Sequence, residues 1–158
     1  GSEMCIRDSN IGFWSKNAKI KDIVMASKKA AVHKNIIGFL DGYKTLLGER
    51  GVTLSGGQIQ RISIARAILK DSKILLLDDC LSSVDSDTEM EILEHLKSIS
   101  KSKTTIIVSH RISSLKHAEK IIVFENGKIV QQGKHQELMR VRGYYQELFQ
   151  KQNAEHSK

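Results

Sequence analysis

The sequence predicts an α/β fold, in which a helical first third is followed by a mostly parallel sheet, flanking helices and a C-terminal β-hairpin. Two short runs have the composition of buried strands: Ile74–Leu77 is wholly apolar, as expected of a strand buried on both faces of a parallel sheet, and Thr104–Val108 is β-branched throughout. A predicted capping box of Ser86 and Glu89 opens a helical pattern between them, and the order strand, helix, strand predicts parallel neighbours joined by a crossover. Asn126-Gly127 lies between two further strand-like runs and indicates a hairpin.

The part of the chain before the first strand is predicted to be helical. Apolar residues recur among lysines between Lys19 and His33, which predicts a helix over that range. A second, shorter helix is expected over Asn35–Leu40, because Asp41-Gly42 is a turn dipeptide. A glycine-punctuated loop, Leu46–Gly51, follows these helices.

Residues 1–9 show neither the alternation of a strand nor the apolar stripe of a helix. We therefore expect them to derive from a tag or a junction, and we place the domain at residues 10–152. Its predicted parts are a helical part over 10–56 and a sheet-containing part over 57–152, with a tail over 153–158.

Composition excludes several classes of protein. No run approaches the roughly 20 apolar residues of a membrane span, and the amino terminus has no secretory signal. Cys5 and Cys80 lie far apart without metal-ligand spacing, so we expect no disulfide framework and a reducing compartment. The net charge of +7 permits an anionic partner, but the lysines are scattered and aromatic residues make up only 5%, so no nucleic acid is expected.

The stretch Leu54–Gln58 stands directly before a helical pattern that runs to Leu69 and carries apolar residues on one side: Ile59, Ile62, Ala65, Ile68 and Leu69. Two adjacent glycines each cost a helix interior about 1 kcal/mol relative to alanine, yet the pattern begins immediately after them. Ser55 and Gln58 fit the capping box, with the serine as N-cap and the glutamine reaching back to it. A helix start with bare backbone N–H groups suits a phosphate; a plain capped helix after a glycine turn is the alternative interpretation.

Polar side chains follow both predicted strands. Asp78-Asp79 ends the first strand, and Ser109-His110 follows the second. Because ligands of open α/β sheets bind outside the carboxyl ends of strands, we expect two carboxylates and an imidazole at one edge. An acidic pair there can hold Mg²⁺ through water and orient a nucleophilic water.

Taken in order and at these separations, the motifs resemble those of the nucleotide-binding domain of ABC transporters. Four short matches carry the resemblance: Leu54–Gln58 to the signature motif, Ile74–Asp78 to Walker B, Ser82–Asp85 to the D-loop and His110 to the switch histidine. The exporter type of this domain is resembled in three further stretches: Gly42–Thr45 and Gly48–Gly51 before the signature, and Gly127–Leu138 near the end.

The resemblance implies a partial P-loop NTPase domain that works with ATP and Mg²⁺. It also implies a head-to-tail dimer with a second nucleotide-binding domain, identical or different, in which Asp85 joins the two sites. Four signature residues would contact the γ-phosphate of the ATP held by the opposite subunit: Ser55, Gly56, Gly57 and Gln58.

Three further residues receive roles from the resemblance. Asp78 would hold Mg²⁺ through water, and Asp79 occupies the position of the catalytic carboxylate. His110 would contact the γ-phosphate and the attacking water of the chain's own nucleotide. This set fits phosphoryl transfer, in which catalysis is mostly positioning and electrostatic stabilisation.

The sequence departs from the family pattern in three places. No G-x-x-x-x-G-K-[S/T] loop occurs, and the adenine-stacking aromatic residue and the Q-loop glutamine are absent as well. We therefore interpret the chain as a carboxy-terminal part that is inactive alone. Asp79 stands where the family usually has glutamate, so we expect the chain's own site to be slow or degenerate, although an ordinary homodimer that tolerates aspartate is the alternative. Leu46 replaces an acidic residue that exporters often carry.

The resemblance implies that the whole protein hydrolyses ATP to export a substrate, with this domain on the cytoplasmic face of the cell membrane beside a transmembrane domain. Two alternatives share related motifs: a DNA-linked ATPase of chromosome maintenance or repair, and a soluble importer ATPase. The segment Lys19–Leu40 is too short for the long coiled coils of the first class. The Thr45–Gly51 loop and the Gly143-Tyr144-Tyr145 ending argue against the second.

Overall fold

A computed structural model of the protein describes residues 4–15, 17–48 and 52–156. It divides into two compact units, Gly1–Val108 and Ser109–Lys158, and confirms the α/β class. The first unit contains, in chain order, β1 (Met4–Cys5), a π-helix (Ile6–Ile11), α1 (Ile20–Lys29), α2 (His33–Ile37), a 3₁₀-helix (Gly42–Lys44), β2 (Leu46–Leu47), α3 (Gly56–Leu69), β3 (Ile74–Asp78), α4 (Ser86–Ser100) and β4 (Thr104–Val108). The second contains α5 (Ile112–Leu115), β5 (Ile121–Glu125), β6 (Lys128–Gly133), α6 (His135–Arg140) and α7 (Tyr144–His156).

The predicted parallel pair of strands is present in the first unit. β3 and β4 pair in parallel with an unbroken register from Ile74↔Thr104 to Asp78↔Val108. The expectation that β3 is buried on both faces is wrong: Leu75 and Leu77 are buried, whereas Leu76 is 62% exposed. Among the described residues the core covers only one face of this pair, so burial alternates along an apolar strand.

Helix α3 is the central element of the first unit. It packs against α1, the π-helix and β3, so it is covered on more than one side. Ile62 and Ala65 are buried as the apolar pattern predicts, and Ile64, outside that pattern, is buried too. Ile59 belongs to the predicted stripe but is 53% exposed, because it lies in the first turn of the helix, away from these contacts.

The helices around α3 are shorter than predicted. α1 ends at Lys29 rather than near His33, and Ala31 adopts a left-handed φ of 52° in the turn before α2. This turn ends the first expected helix four residues early, and the second helix, expected over Asn35–Leu40, lies at His33–Ile37.

Residues 4–11 form regular structure. Met4 and Cys5 pair antiparallel with Leu47 and Leu46, and the π-helix buries Ile6 and Ile11 completely. That residues 1–9 originate from a tag or a junction stays a prediction, since packing does not report the origin of a segment.

The second unit has the predicted hairpin. β5 and β6 pair antiparallel, and both turn residues, Asn126 and Gly127, have positive φ values of 50° and 75°. Such a turn follows the right-handed twist of the strands. The core of the second unit is formed by residues of α5, the hairpin and the last two helices: Ile112, Ile121, Val123, Leu138 and Tyr145. In the part of the chain that the structure describes, no helix is long and apolar enough to cross a bilayer.

Candidate functional site

The first turn of α3 has the capping box that the spacing predicts. The Ser55 Oγ accepts a hydrogen bond from the Gln58 backbone N–H at 3.2 Å, and the Ser55 N–H donates to Gln58 Oε1 at 2.9 Å. Ser55 is extended, with φ −67° and ψ 159°, so α3 begins abruptly at Gly56. The capping box also commits the Gln58 side chain to the helix start, where it satisfies the N-cap residue.

Two donors remain available at this helix start. The backbone N–H groups of Gly56 and Gly57 have no hydrogen-bond partner among the described residues. Ser55 and Gly56 are exposed, so solvent or a ligand can reach these groups. Bare N–H groups and the positive end of the helix dipole together favour an anion.

The loop that follows β3 packs against the same turn. A Cβ atom added at Gly57 would lie 2.7 Å from the Ser83 carbonyl oxygen, a distance that real Cβ atoms do not adopt. At Gly56 the corresponding distance to the Ser83 side chain is 3.6 Å, an ordinary contact. The second glycine of the signature is therefore required for close approach of this loop, a role that the sequence did not indicate.

The end of β3 carries two exposed carboxylates. Asp78 is the last residue of the strand, paired with Val108 of β4, and Asp79 follows it. Asp79 has a left-handed φ of 44°, and its N–H donates to the Val108 carbonyl at 2.9 Å. Aspartate visits this conformation more readily than most residues, and such strained positions cluster at functional sites.

A further side chain joins these features, and sequence reasoning missed it. Gln60 of α3 hydrogen-bonds to the loop after β3 at Ser82 and Ser83, and reaches the Asp79 carbonyl. Gln60 lies just beyond the signature stretch, and no spacing rule singles it out.

Asp85 caps α4. Its Oδ1 accepts a hydrogen bond from the Thr88 backbone N–H at 3.0 Å, and hydrogen bonding from Thr88 lowers the pKa of this carboxyl below its usual 3.8. The predicted capping box of Ser86 and Glu89 is thus wrong by one residue: Asp85 is the N-cap, and Glu89 is buried. The carboxylate of Asp85 is held ionised at the surface beside the first turn of α4.

His110 belongs to the second unit, where α7 fixes its backbone. Gln152 donates through Nε2 to the His110 carbonyl at 2.6 Å and accepts the Ile112 N–H through Oε1 at 3.0 Å. The His110 side chain is exposed. Sequence reasoning did not find Gln152, because its partner lies 42 residues away and no local pattern connects the two.

A metal held by protein groups alone is not supported within the described residues. They contain no group of three or more His, Cys, Asp or Glu side chains that could hold an ion. A single strand-end carboxylate such as Asp78 suits an ion that keeps its waters and takes its other ligands from a phosphate, as Mg²⁺ does.

Comparison with known proteins assigns the family. The family model of the ABC transporter matches residues 4–82, which is half of the chain. The matched part includes the capped start of α3 and the two acidic residues at the end of β3. The chain belongs to the ABC transporter family.

Individual relatives extend the similarity over most of the chain. It is 50% identical to the ABC transporter ATP-binding protein YknU of Bacillus subtilis over 89% of its length, and 48% identical to the ATP-dependent lipid A-core flippase of Legionella pneumophila strain Paris over 91%. It covers 24% of each of these relatives, so the chain spans about a quarter of the length of the curated relatives it matches. A solved structure of a bacterial Atm1-family ABC exporter with ATP bound matches 96% of the chain and 26% of its own length, with 36% identity and a TM-score of 0.88.

Proposed function

We propose that this chain is part of the nucleotide-binding domain of an ABC exporter, whose whole protein hydrolyses ATP to move a substrate across a membrane. One observation carries the proposal: a capped, exposed helix start presents two N–H groups, without a partner among the described residues, beside the loop that contains Asp85. The names of the similar proteins, a lipid A-core flippase and an exporter with ATP bound, support the exporter class over DNA-linked or importer ATPases.

The proposed task of the α3 start is to bind the γ-phosphate of ATP held by a second nucleotide-binding domain. Gly56 and Gly57 donate backbone N–H groups, and Ser55 is placed beside them. Hydrogen bonds to a charged group contribute about 1.5–3 kcal/mol each, more than neutral ones. The sequence contains no phosphate-cradling loop, the part of such domains that holds the phosphates of the bound nucleotide. We therefore expect the isolated chain to be inactive.

The proposed roles at the strand end concern the chain's own nucleotide. Mg²⁺, when bound, neutralises charge that develops on the phosphates. Asp78 is proposed to hold this ion through water, and Asp79 to accept the proton of the attacking water. His110 is proposed to contact the γ-phosphate and that water.

The length of Asp79 limits its proposed role. A general base must come within about 2.6–3.2 Å of the proton it removes, and aspartate is one methylene shorter than the glutamate that is usual in the family. We propose that this site is slow, and that the intact signature serves a competent site on a different subunit. A heterodimer follows from this proposal, with Asp85 between the two sites.

The proposed partners are a second nucleotide-binding domain and a transmembrane domain, with this domain on the cytoplasmic face of the membrane. One relative, 46% identical over 91% of this chain, is named as a multidrug export ATP-binding/permease protein. Its name thus combines ATP binding with a permease. Nothing in the chain's own residues selects the transported substrate, which we expect the membrane domain to determine.

The test uses the full-length protein that contains this chain, reconstituted with its partner in lipid vesicles. Gly56→Asp places a negative charge at the proposed phosphate contact and is expected to reduce MgATP turnover at least about 100-fold. Ser63→Asp adds the same charge to an exposed position of the same helix and is the matched control. Equal turnover of the two variants would refute the phosphate role, and absent turnover in the unmodified protein would refute the ATPase proposal.

A further inference from the structure

Gln60 uses both ends of its amide to hold the loop after β3. Its Nε2 donates to Ser82 Oγ at 2.9 Å and lies 3.4 Å from the Asp79 carbonyl oxygen. Its Oε1 accepts the backbone N–H of Ser83 at 2.9 Å. One side chain of α3 therefore contacts three residues of the loop that leads from the strand end to Asp85.

The loop is tightened from within as well. Ser82 Oγ donates to the Asp79 carbonyl at 3.0 Å, so this carbonyl faces both the serine hydroxyl and the Gln60 amide. These contacts hold the backbone of Asp79 at its left-handed φ of 44°. The direction in which the Asp79 carboxylate leaves the strand therefore depends on the position of the loop.

The opposite side of the contact is the glycine at position 57. The Ser83 carbonyl approaches its Cα so closely that a Cβ would lie 2.7 Å away. Ser83 thus gives its N–H to Gln60 and packs its carbonyl on Gly57, one helical turn apart. The loop is seated on α3 by a hydrogen bond and by a close backbone contact at the same residue.

We propose that Gln60 is a positioning residue for ATP hydrolysis: it fixes the Asp79–Asp85 loop to the signature helix, so that the N–H groups of Gly56 and Gly57, the Asp79 carboxylate and Asp85 keep a constant mutual geometry. This inference rests on the proposed function, because it assigns Gln60 to the same reaction. The side-chain amide of Gln60 hydrogen-bonds to the loop and not to either proposed phosphate donor, so its effect passes through the loop.

Geometry of this kind has a large effect on rate. Displacing a reacting group by about 1 Å costs up to about 100-fold in turnover. Because Asp79 belongs to the site proposed to be slow, the loss of kcat reaches the competent site through Asp85, which is proposed to lie between the two sites. Loss of the Gln60 contacts leaves the proposed phosphate contact intact, since the capping box is made by Ser55 and Gln58 alone. The inference therefore predicts a loss in kcat with little change in KM for MgATP, a split that a general loss of folded protein does not produce.

The test compares Gln60→Met with Gln60→Glu in the full-length protein. Methionine has a similar length but no hydrogen-bonding amide, whereas glutamate keeps an acceptor for the Ser83 N–H. We expect Gln60→Met to lower kcat about 10-fold to 100-fold with KM for MgATP changed less than about twofold, and Gln60→Glu to restore part of the loss. The control is Ser63→Ala, which changes an exposed residue of the same helix and should retain normal turnover.

Hydrogen exchange followed by mass spectrometry gives a readout that does not depend on activity. Loss of one neutral hydrogen bond should speed exchange in the peptide that contains Ser83 about fivefold in Gln60→Met, while β3 and β4 keep their protection. Normal kcat in Gln60→Met, or faster exchange without any change in kcat, would overturn the inference. If the unmodified protein lacks MgATP turnover, the proposed function is refuted, and the inference is refuted with it. If the unmodified protein and Gln60→Met have the same normal turnover, only the inference is refuted.

Discussion

The close approach of Ser83 to α3 makes Gly57→Ala a quantitative test of the site geometry. An added Cβ would lie 2.7 Å from the Ser83 carbonyl oxygen, and the obstacle is backbone, so the loop itself must move. Overpacking of this kind costs about 1–3 kcal/mol, while alanine in place of glycine gains up to about 1 kcal/mol of helix propensity. The balance is a net destabilisation of the loop contact by about 0–2 kcal/mol.

Gly56→Ala is the matched comparison, because its Cβ would meet the Ser83 side chain at 3.6 Å, an ordinary contact. This variant gains the same helix propensity without the clash. In the full-length protein, hydrogen exchange over residues 80–85 should therefore be faster in Gly57→Ala than in Gly56→Ala. Each 1.4 kcal/mol by which the loop contact is weakened speeds exchange by up to about tenfold. Equal exchange in the two variants would refute the close contact between loop and helix.

Three further predictions concern single residues. Asp79→Glu should raise MgATP turnover of the full-length protein if the site is degenerate through its short carboxylate, and unchanged turnover would contradict that proposal. Because hydrogen bonding lowers the pKa of Asp85 below 3.8, its stabilising cap is fully present above that pH and is lost as the pH falls through the lowered value. Between about pH 6 and pH 2 the melting temperature should therefore fall further in the unmodified protein than in Asp85→Asn, whose cap does not ionise, and an equal fall in both would contradict this role. Burial raises the pKa of Cys80 to about 11, so at pH 8 its thiolate fraction is about 100-fold lower than that of a thiol with the ordinary value of 9.0. Because the more basic thiolate is about tenfold more nucleophilic, alkylation by iodoacetamide should be about tenfold slower, and a rate equal to that of an exposed thiol would contradict the raised pKa.

Local patterns predicted the elements on which the site is built. The spacing of Ser55 and Gln58 specifies a capping box because its two hydrogen bonds join residues three apart. The Asn126-Gly127 turn was equally readable, since both residues accept positive φ. The parallel pairing of β3 with β4 followed from two short β-rich runs separated by a helical pattern.

Contacts between distant residues were not readable from the sequence. Gln60 and Ser83 lie 23 residues apart, and neither residue type is unusual at its position. The π-helix over Ile6–Ile11 has no periodic apolar pattern, so its burial comes from tertiary packing rather than from local preference. The apolar β3 run predicted burial on two faces, whereas the described residues supply a cover for one, because a pattern records what a face favours and not what packs on it.

The central claim is that the start of α3 contacts the γ-phosphate of a nucleotide held by another subunit. It is tested most directly in the full-length assembly with an ATP analogue that carries a photoreactive group on its γ-phosphate, followed by mass spectrometry of the labelled peptides. The proposed function predicts Mg²⁺-dependent labelling of the peptide that contains Ser55–Gln58, suppressed by excess ATP. Labelling confined to other segments, with full nucleotide occupancy, would contradict it.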